Sequence, residues 1–180
     1  YCNDEVDIAV KEAINNGVCT TLNAPEEVLL AEKLLELNQF AGGVKFARTG
    51  GEAIAIAVRI ARAFTGKDKI AFSGYHGWCD WYLAANLSGE NNLSGHLLPG
   101  LSPLGVPKGL KGTAIPFKYN DPDDFDRVIK NNPDVGTVII EVARFDFPSQ
   151  EFLNTIKKIT HKKDIVVITD EITSGWRITD

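Results

Sequence analysis

Two stretches, TVIIEV at residues 137–142 and DIVVIT at residues 164–169, are nearly unbroken runs of apolar, mostly β-branched side chains. A strand with one wet face alternates apolar and polar residues, so an unbroken run predicts a strand covered on both faces, as in the centre of a parallel sheet. Between them, from Ser149 to about Lys162, the apolar residues recur at helical spacing behind a serine cap. Strand, helix and strand in that order predict an α/β fold with a mostly parallel sheet. Ligands of such sheets collect at the carboxyl ends of the strands, so the residues that follow each strand are where chemistry is expected.

The same signals run through the rest of the chain. Asn3 or Asp4 caps a helix with apolar positions Val6, Ala9, Val10, Ala13 and Ile14, stopping at Gly17, and Pro25 opens a second helix through Leu37, closed by Gly42-Gly43. A short strand is predicted from Val44 to Arg48, then a turn at Thr49-Gly50-Gly51 and a helix from Glu52 to Thr65 that packs through Ala53, Ala57, Ile60, Ala61 and Phe64. Further strands are predicted at Lys69–Ser73 and Thr113–Lys118, with a helix from Pro122 to about Lys130. Between residues 87 and 112, Gly, Ser and Pro supply 12 of 26 positions, which marks a long loop expected at a site mouth or a subunit contact.

Composition narrows the partners. With 180 residues the chain is long enough for the core of one domain, and a formal charge of -5 without a basic stripe gives no footprint for nucleic acid or an acidic membrane. The three cysteines lack CxxC spacing, so neither a disulfide framework nor a zinc site is expected, and a cytoplasmic location fits best. Nothing in the sequence reaches the roughly 18 apolar residues of a membrane span. Tyr1 stands where a start methionine would, and the chain stops just after a strand and turn, so a truncated piece of a longer polypeptide is expected.

Four segments after strands carry chemistry. RTGGEA, residues 48–53, joins a strand to a helix through two glycines; a helix start offers unpaired N–H groups and a partial positive charge to a phosphate, worth about 0.3–1 kcal/mol. The alternative is a tight turn with Thr49 as N-cap. Neither GxGxxG nor GxxxxGK[ST] is present, which favours a small phosphorylated ligand over a nucleotide. In GYHGWCDWY, residues 74–82, Tyr75 and His76 lie nearest the strand end and are site candidates, whereas Trp78, Trp81 and Tyr82 read as packing. His96 and His161 read as surface residues.

The last two segments are the acids Glu141 and Asp170, each at the end of a buried strand, where a carboxylate is costly unless a cation pairs with it. Adjacent strands would bring both to one edge. Capping of the next turn, or a salt bridge to Arg144 or Arg177, is the alternative. A phosphate at a helix start, a ring beneath Tyr75 and a ring nitrogen kept protonated by Asp170 together describe pyridoxal 5'-phosphate.

The motifs TLNAPEEVLLAEKL, VKFARTGGEAIAIAVRIARAFTGKDKIAFSGYHGW and VVITDEITSGWR, in this order and spacing, resemble the class III aminotransferases of the fold type I pyridoxal phosphate enzymes, in particular the glutamate-1-semialdehyde aminomutase branch. The resemblance implies a three-layer α/β/α large domain, with residues 1–40 as its helical N-terminal segment and residues 41–180 as an incomplete cofactor-binding part. It implies that Thr49, Gly50 and Gly51 hold the cofactor phosphate, that Tyr75 stacks on the pyridine ring with His76 beside it, and that Asp170 pairs with the pyridine nitrogen. Ile172 would pack on the ring's other face and Glu141 would shape the site, while Glu171 supports the turn. A homodimer acting on an amino donor and a keto or semialdehyde substrate is implied as well.

The chain departs from the pattern in three places. Thr49-Gly50-Gly51 replaces the usual Ser-Gly-Thr or Ser-Gly-Ser and removes one phosphate hydroxyl; Val142 stands where proline commonly follows the acid; and ARFDFP lacks the usual Gly-Asn. The family's Schiff-base lysine lies on a later strand-loop, and neither Lys67, Lys69, Lys108 nor Lys118 matches it. Three readings follow: the large-domain fragment of an aminotransferase or aminomutase, a module that holds the cofactor without turnover, and a remnant without ligand.

Overall fold

A computed structural model describes residues 2–19, 21–96, 100–143 and 145–177. The chain divides into two compact units, Tyr1–Lys45 and Phe46–Asp180. The first holds α1 (Asp4–Asn15), whose Asn3 cap accepts the Val6 N–H at 3.1 Å, and α2 (Pro25–Leu37), which Asn38 closes by donating its side-chain amide to the Leu34 carbonyl at 2.9 Å. Both helices fall where the caps and Pro25 predict them.

The second unit carries the sheet. Its elements are α3 (Gly50–Thr65), β1 (Lys69–Ser73), α4 (Asp80–Leu83), β2 (Ala114–Pro116), α5 (Pro122–Asn131), β3 (Val135–Glu141), α6 (Gln150–Lys162) and β4 (Val166–Asp170), with single 3-10 turns at Ala84–Leu87 and Lys108–Leu110. The strands are all parallel, in the order β2-β1-β3-β4. One sheet face packs Ile70, Phe72 and Ile139 against Ile54 and Val58 of α3 and against Trp81 and Tyr82 of α4. The other packs Ala71, Val138 and Ile140 against Phe125, Val128 and Ile129 of α5 and Phe152 and Ile156 of α6. This is the three-layer α/β/α arrangement, and full burial of side chains such as Phe72 and Phe152 contributes about 1.5–3 kcal/mol each.

Several expectations are corrected. Val44–Arg48 is not a strand, because no neighbouring strand among the described residues offers it a ladder. The buried face of α3 is Ile54, Val58 and Ala61, so of the predicted residues Ala61 is buried and Ala57 half-buried, whereas Ala53 and Ile60 are exposed and Phe64 is 82% exposed. The alanine-rich helix carries apolar residues nearly all round, so periodicity could not select the inward face. DIVVIT is not covered on both faces among the described residues: β4 bonds only to β3 there, its burial alternates, and Val167 is 39% exposed. β3 is the strand buried at every position.

The long loop is partly correct as predicted. It is a connection without strands, yet Leu93 and Val106 are buried in the core, and Asn86 pins it by donating to the Leu101 carbonyl at 2.6 Å and accepting the Leu93 N–H at 3.1 Å.

Candidate functional site

The site forms at the carboxyl ends of β1, β3 and β4. Glu141 and Asp170 are register partners at the last rung of β3 and β4, so the two acids share one edge as their strand positions suggest. Both are nearly sealed from solvent, at 3% and 8% exposure. Asp170 Oδ1 accepts the Ile172 N–H at 3.1 Å, and Oδ2 lies 2.9 Å from His76 Nδ1. Arg177 does not pair with either acid; its guanidinium donates to the carbonyls of Ile172 and Thr173. Arg144 lies outside the described residues.

The turn that follows β1 reaches Asp170 because of glycine. Gly74 has φ 111°, and a Cβ there would stand 2.7 Å from Glu141 Cβ, so no other residue lets the turn pass this close to β3. Beyond it His76 turns inward, and its Nε2–H donates to the Ser73 carbonyl at 3.1 Å. Both ring nitrogens therefore face acceptors, a carbonyl and a carboxylate. Phe72, Trp81 and Tyr82 enclose the ring, Trp81 nearly parallel to it with centroids 6.3 Å apart. Trp81 and Tyr82 are packing residues as predicted, whereas Trp78 is 74% exposed.

The start of α3 meets the same turn. Gly77, at φ 91°, packs so closely on Gly51 that a Cβ on Gly77 would lie 2.9 Å from Gly51 Cα. Cys79 Sγ donates to the Gly51 carbonyl at 3.6 Å, and its thiol is pushed up in pKa by burial and by Asp80 and Glu52, which keeps it protonated. Thr49 is the N-cap, its Oγ1 accepting the Glu52 N–H at 3.2 Å, while Glu52 turns back to accept the Arg48 N–H at 2.9 Å. The cap leaves the Thr49 hydroxyl proton and the N–H groups of Gly50 and Gly51 without an acceptor among the described residues. Thus one chain of contacts links Gly51 through Gly77, His76 and Asp170 to Glu141.

Glu141 is held from both sides: it accepts the Tyr75 N–H and the Thr173 hydroxyl, each at 3.4 Å. Tyr75 is half-buried and packs edge-on against Tyr82, with centroids 5.8 Å apart; Ile172 is exposed beside Asp170. Glu171 closes the following turn through its backbone, its carbonyl accepting the Gly175 N–H at 2.7 Å.

His96 is the residue that sequence reasoning missed. It is not a free surface residue: its Nδ1 accepts the Gly74 N–H at 3.2 Å and its ring packs on Phe72 with centroids 5.4 Å apart. Burial, with His76 nearby, lowers its pKa from 6.5 to about 4. A lone histidine in a Gly-rich loop gives no periodic signal that could have placed it. His96 lines a cleft of about 410 Å³ over β2, β1 and β3, together with Tyr75, Lys118, Tyr119, Glu141 and Phe145. Tyr119 ties the walls together, its hydroxyl lying 3.0 Å from each of the Val142 and Asp146 carbonyls.

The family model for aminotransferase class-III matches residues 1–179. The chain is 32% identical to a 3-aminobutyryl-CoA aminotransferase of Cloacimonas acidaminovorans, over 98% of this chain and 41% of that protein. It is 32% identical to a glutamate-1-semialdehyde 2,1-aminomutase of Campylobacter hominis, over 98% of this chain and 39% of that protein. A solved transaminase with PLP bound superposes with a TM-score of 0.82 at 28% identity, over 97% of this chain and 41% of that one. The chain belongs to the class III aminotransferases, a family of pyridoxal phosphate-dependent enzymes. It spans about 41% of the length of the curated relatives it matches.

Proposed function

We propose that this chain supplies the cofactor-holding part of a pyridoxal phosphate-dependent aminotransferase or aminomutase. The observation that carries the reading is Asp170: a buried carboxylate at a strand end, oriented through both oxygens by His76 and Ile172, at the same edge of the sheet as the open helix start at Thr49-Gly50-Gly51. The residues present fit the cofactor. Two glycine N–H groups and a threonine hydroxyl without acceptors suit a phosphate, and a carboxylate with two of about four lone-pair sites engaged can still accept from a ring nitrogen.

Bound there, pyridoxal phosphate supplies an electron-withdrawing pyridinium conjugated to the substrate's reacting carbon. Asp170 holds a proton at the ring nitrogen, since a carboxylate beside it favours the charged form, and each pKa unit corresponds to about 1.36 kcal/mol. His76 fixes the Asp170 carboxylate by hydrogen bond and encloses its inner side. Thr49, Gly50 and Gly51 would hold the phosphate and Tyr75 and Ile172 would pack on the ring, while Glu141 fixes the Tyr75 turn.

In this reading residues 41–180 are the cofactor domain and residues 1–40 its helical N-terminal segment. The enzyme would exchange an amino group with a keto or semialdehyde partner, as the names of its relatives suggest. The exposed apolar residues Ile60 and Phe64 on α3 support a homodimer, and three free cysteines support a cytoplasmic location.

Titration of the chain with pyridoxal phosphate, followed by tryptophan fluorescence and cofactor absorbance, tests the reading. Saturable binding that weakens at least about tenfold in Asp170→Asn is expected; equal binding by both proteins would sink it. Borohydride reduction with peptide mapping then reports whether a lysine of this chain bonds the cofactor. Binding without such an adduct would make it a holding module.

A further inference from the structure

β1 ends at Ser73, and the two amides that follow, those of Gly74 and Tyr75, lie beyond its ladder. Each is taken by a side chain instead. The Gly74 N–H donates to His96 Nδ1 at 3.2 Å and the Tyr75 N–H to Glu141 Oε2 at 3.4 Å, while the Gly74 carbonyl accepts the Tyr82 hydroxyl at 3.1 Å. A glycine at φ 111° has wide freedom to rotate, and these three bonds remove it.

Two of the three partners come from regular elements, Tyr82 from α4 and Glu141 from the last rung of β3. His96 comes from the Gly-rich loop, 22 residues along the chain from Gly74, and is itself tied to the core. Its N–H donates to the Leu93 carbonyl at 2.9 Å, the Leu93 N–H donates to Asn86 Oδ1 at 3.1 Å, and the Leu93 side chain is buried. The imidazole lies on Phe72 of β1, with centroids 5.4 Å apart. One line of contacts therefore runs from Asn86 through Leu93 and His96 to Gly74. His96 accepts through Nδ1 only while the ring is neutral with its proton on Nε2, and its pKa of about 4 keeps that form at neutral pH.

Tyr75 is half-buried and meets Tyr82 edge-on. Any rotation of the Gly74–Tyr75 peptide carries the Tyr75 side chain with it. Resting on the cofactor reading above, we propose that His96 is a positioning residue for pyridoxal phosphate: by accepting the Gly74 N–H it fixes the peptide from which the Tyr75 ring projects toward the cofactor ring. A residue that only fills space beside Phe72 needs the bulk of the imidazole, whereas this role needs its acceptor. Removing the acceptor frees the peptide and leaves Asp170 and the Thr49-Gly50-Gly51 turn with the partners they have now.

The chain is titrated with pyridoxal phosphate and followed by cofactor absorbance and by the circular dichroism that the bound cofactor acquires in its absorption band, which reports how its ring is held. His96→Leu keeps an apolar body beside Phe72 without an acceptor; His96→Asn returns one, since Oδ1 stands where Nδ1 does. Affinity for pyridoxal phosphate is expected to fall about three- to tenfold in His96→Leu, with a weakened dichroic band, and to stay within about twofold of wild type in His96→Asn. In a Tyr75→Ala background, where the ring is gone, His96→Leu should change affinity by less than about twofold.

Wild-type affinity and dichroism in His96→Leu, equal losses in His96→Leu and His96→Asn, or an undiminished loss in the Tyr75→Ala background each overturn the inference. If His96→Leu does not fold, the nitrogen-15-labelled wild-type chain decides. A nitrogen–nitrogen coupling across the Gly74–His96 hydrogen bond that persists on loading, with slower exchange of the Gly74 amide, upholds the inference; loss of the coupling or unchanged exchange overturns it. A chain that binds pyridoxal phosphate equally well in every His96 variant overturns this inference and leaves the cofactor reading standing. A wild-type chain that does not bind the cofactor overturns both.

Discussion

His76 and His96 flank the same strand end, pack on the same ring of Phe72, and are wired oppositely. His76 faces two acceptors, the Ser73 carbonyl and the Asp170 carboxylate. His96 faces a donor, the Gly74 N–H, and stays neutral, with its pKa lowered to about 4 by burial and by His76. The difference shows how two residues of one type come to be held differently: the nearest polar neighbour decides whether the ring donates or accepts. On the His76 side the ring meets the buried Asp170 carboxylate; on the His96 side a neutral ring accepts a backbone N–H at the edge of an aromatic cleft.

The largest effect is expected where the acceptor of His76 is removed. Asp170→Ala leaves the histidine's side of a buried pair without its partner and should cost about 3–5 kcal/mol of stability in chemical denaturation. Asp170→Asn retains an acceptor for the Ile172 N–H and can donate its amide to a neutral Nδ1, so it should recover most of that loss. Equal destabilisation by the two variants would show that the pair's charge, not its hydrogen bonds, holds the strand end.

Next comes the hinge between the two histidines. Gly74→Ala forces a Cβ to within 2.7 Å of Glu141 Cβ at a φ of 111°, and about 2–4 kcal/mol is expected from the combined clash and backbone strain. The circular dichroism melt of this variant should fall well below that of Gly95→Ala, where a Cβ meets nothing within 4 Å.

The pH response separates the two rings. Between pH 6.5 and about 4 an unfolded chain protonates His96 while the folded one does not. The unfolded state therefore binds more protons, stability rises with pH in that window, and it is lost as pH falls through it. The loss is at most about 3 kcal/mol, reduced by the solvent that reaches the ring. His96→Asn should flatten the slope of unfolding free energy against pH in this range, and a slope unchanged by the substitution would count against a neutral His96. The smallest effect is expected for Tyr119→Phe, which removes the hydroxyl between the Val142 and Asp146 carbonyls and should cost about 1 kcal/mol in urea unfolding.

Much of the fold was legible because local chemistry and tertiary environment agree there. Asn3 and Ser149 cap helices that begin where they were expected, each accepting a backbone N–H of the first turn, and the helix expected from Pro122 starts there behind Asp121. The acids at 141 and 170 were legible for the opposite reason: a carboxylate ending a buried strand conflicts with its surroundings, and such conflicts mark sites. What failed was position within the assembly. The run DIVVIT looks as evenly buried as TVIIEV, yet among the described residues β4 pairs only with β3 and its burial alternates, since apolarity reports what a strand needs and not how many neighbours it meets. The exposed Ile60 and Phe64 on α3 show the same limit.

The sequence by itself determined the parallel α/β class, the glycine turns after β1 and before α3, and the acids that end β3 and β4, because each is written in a few adjacent residues. Only the tertiary structure decided that Gly77 rests on Gly51, that His76 rather than an arginine meets Asp170, and that His96 turns in from a distant loop to accept a hydrogen bond from the Gly74 N–H. The physical reason is range. Caps, turns and periodicity are set within a few residues along the chain, whereas a buried hydrogen bond is chosen by whichever partner the packed sheet brings within about 3 Å, and that choice is made between segments far apart in sequence.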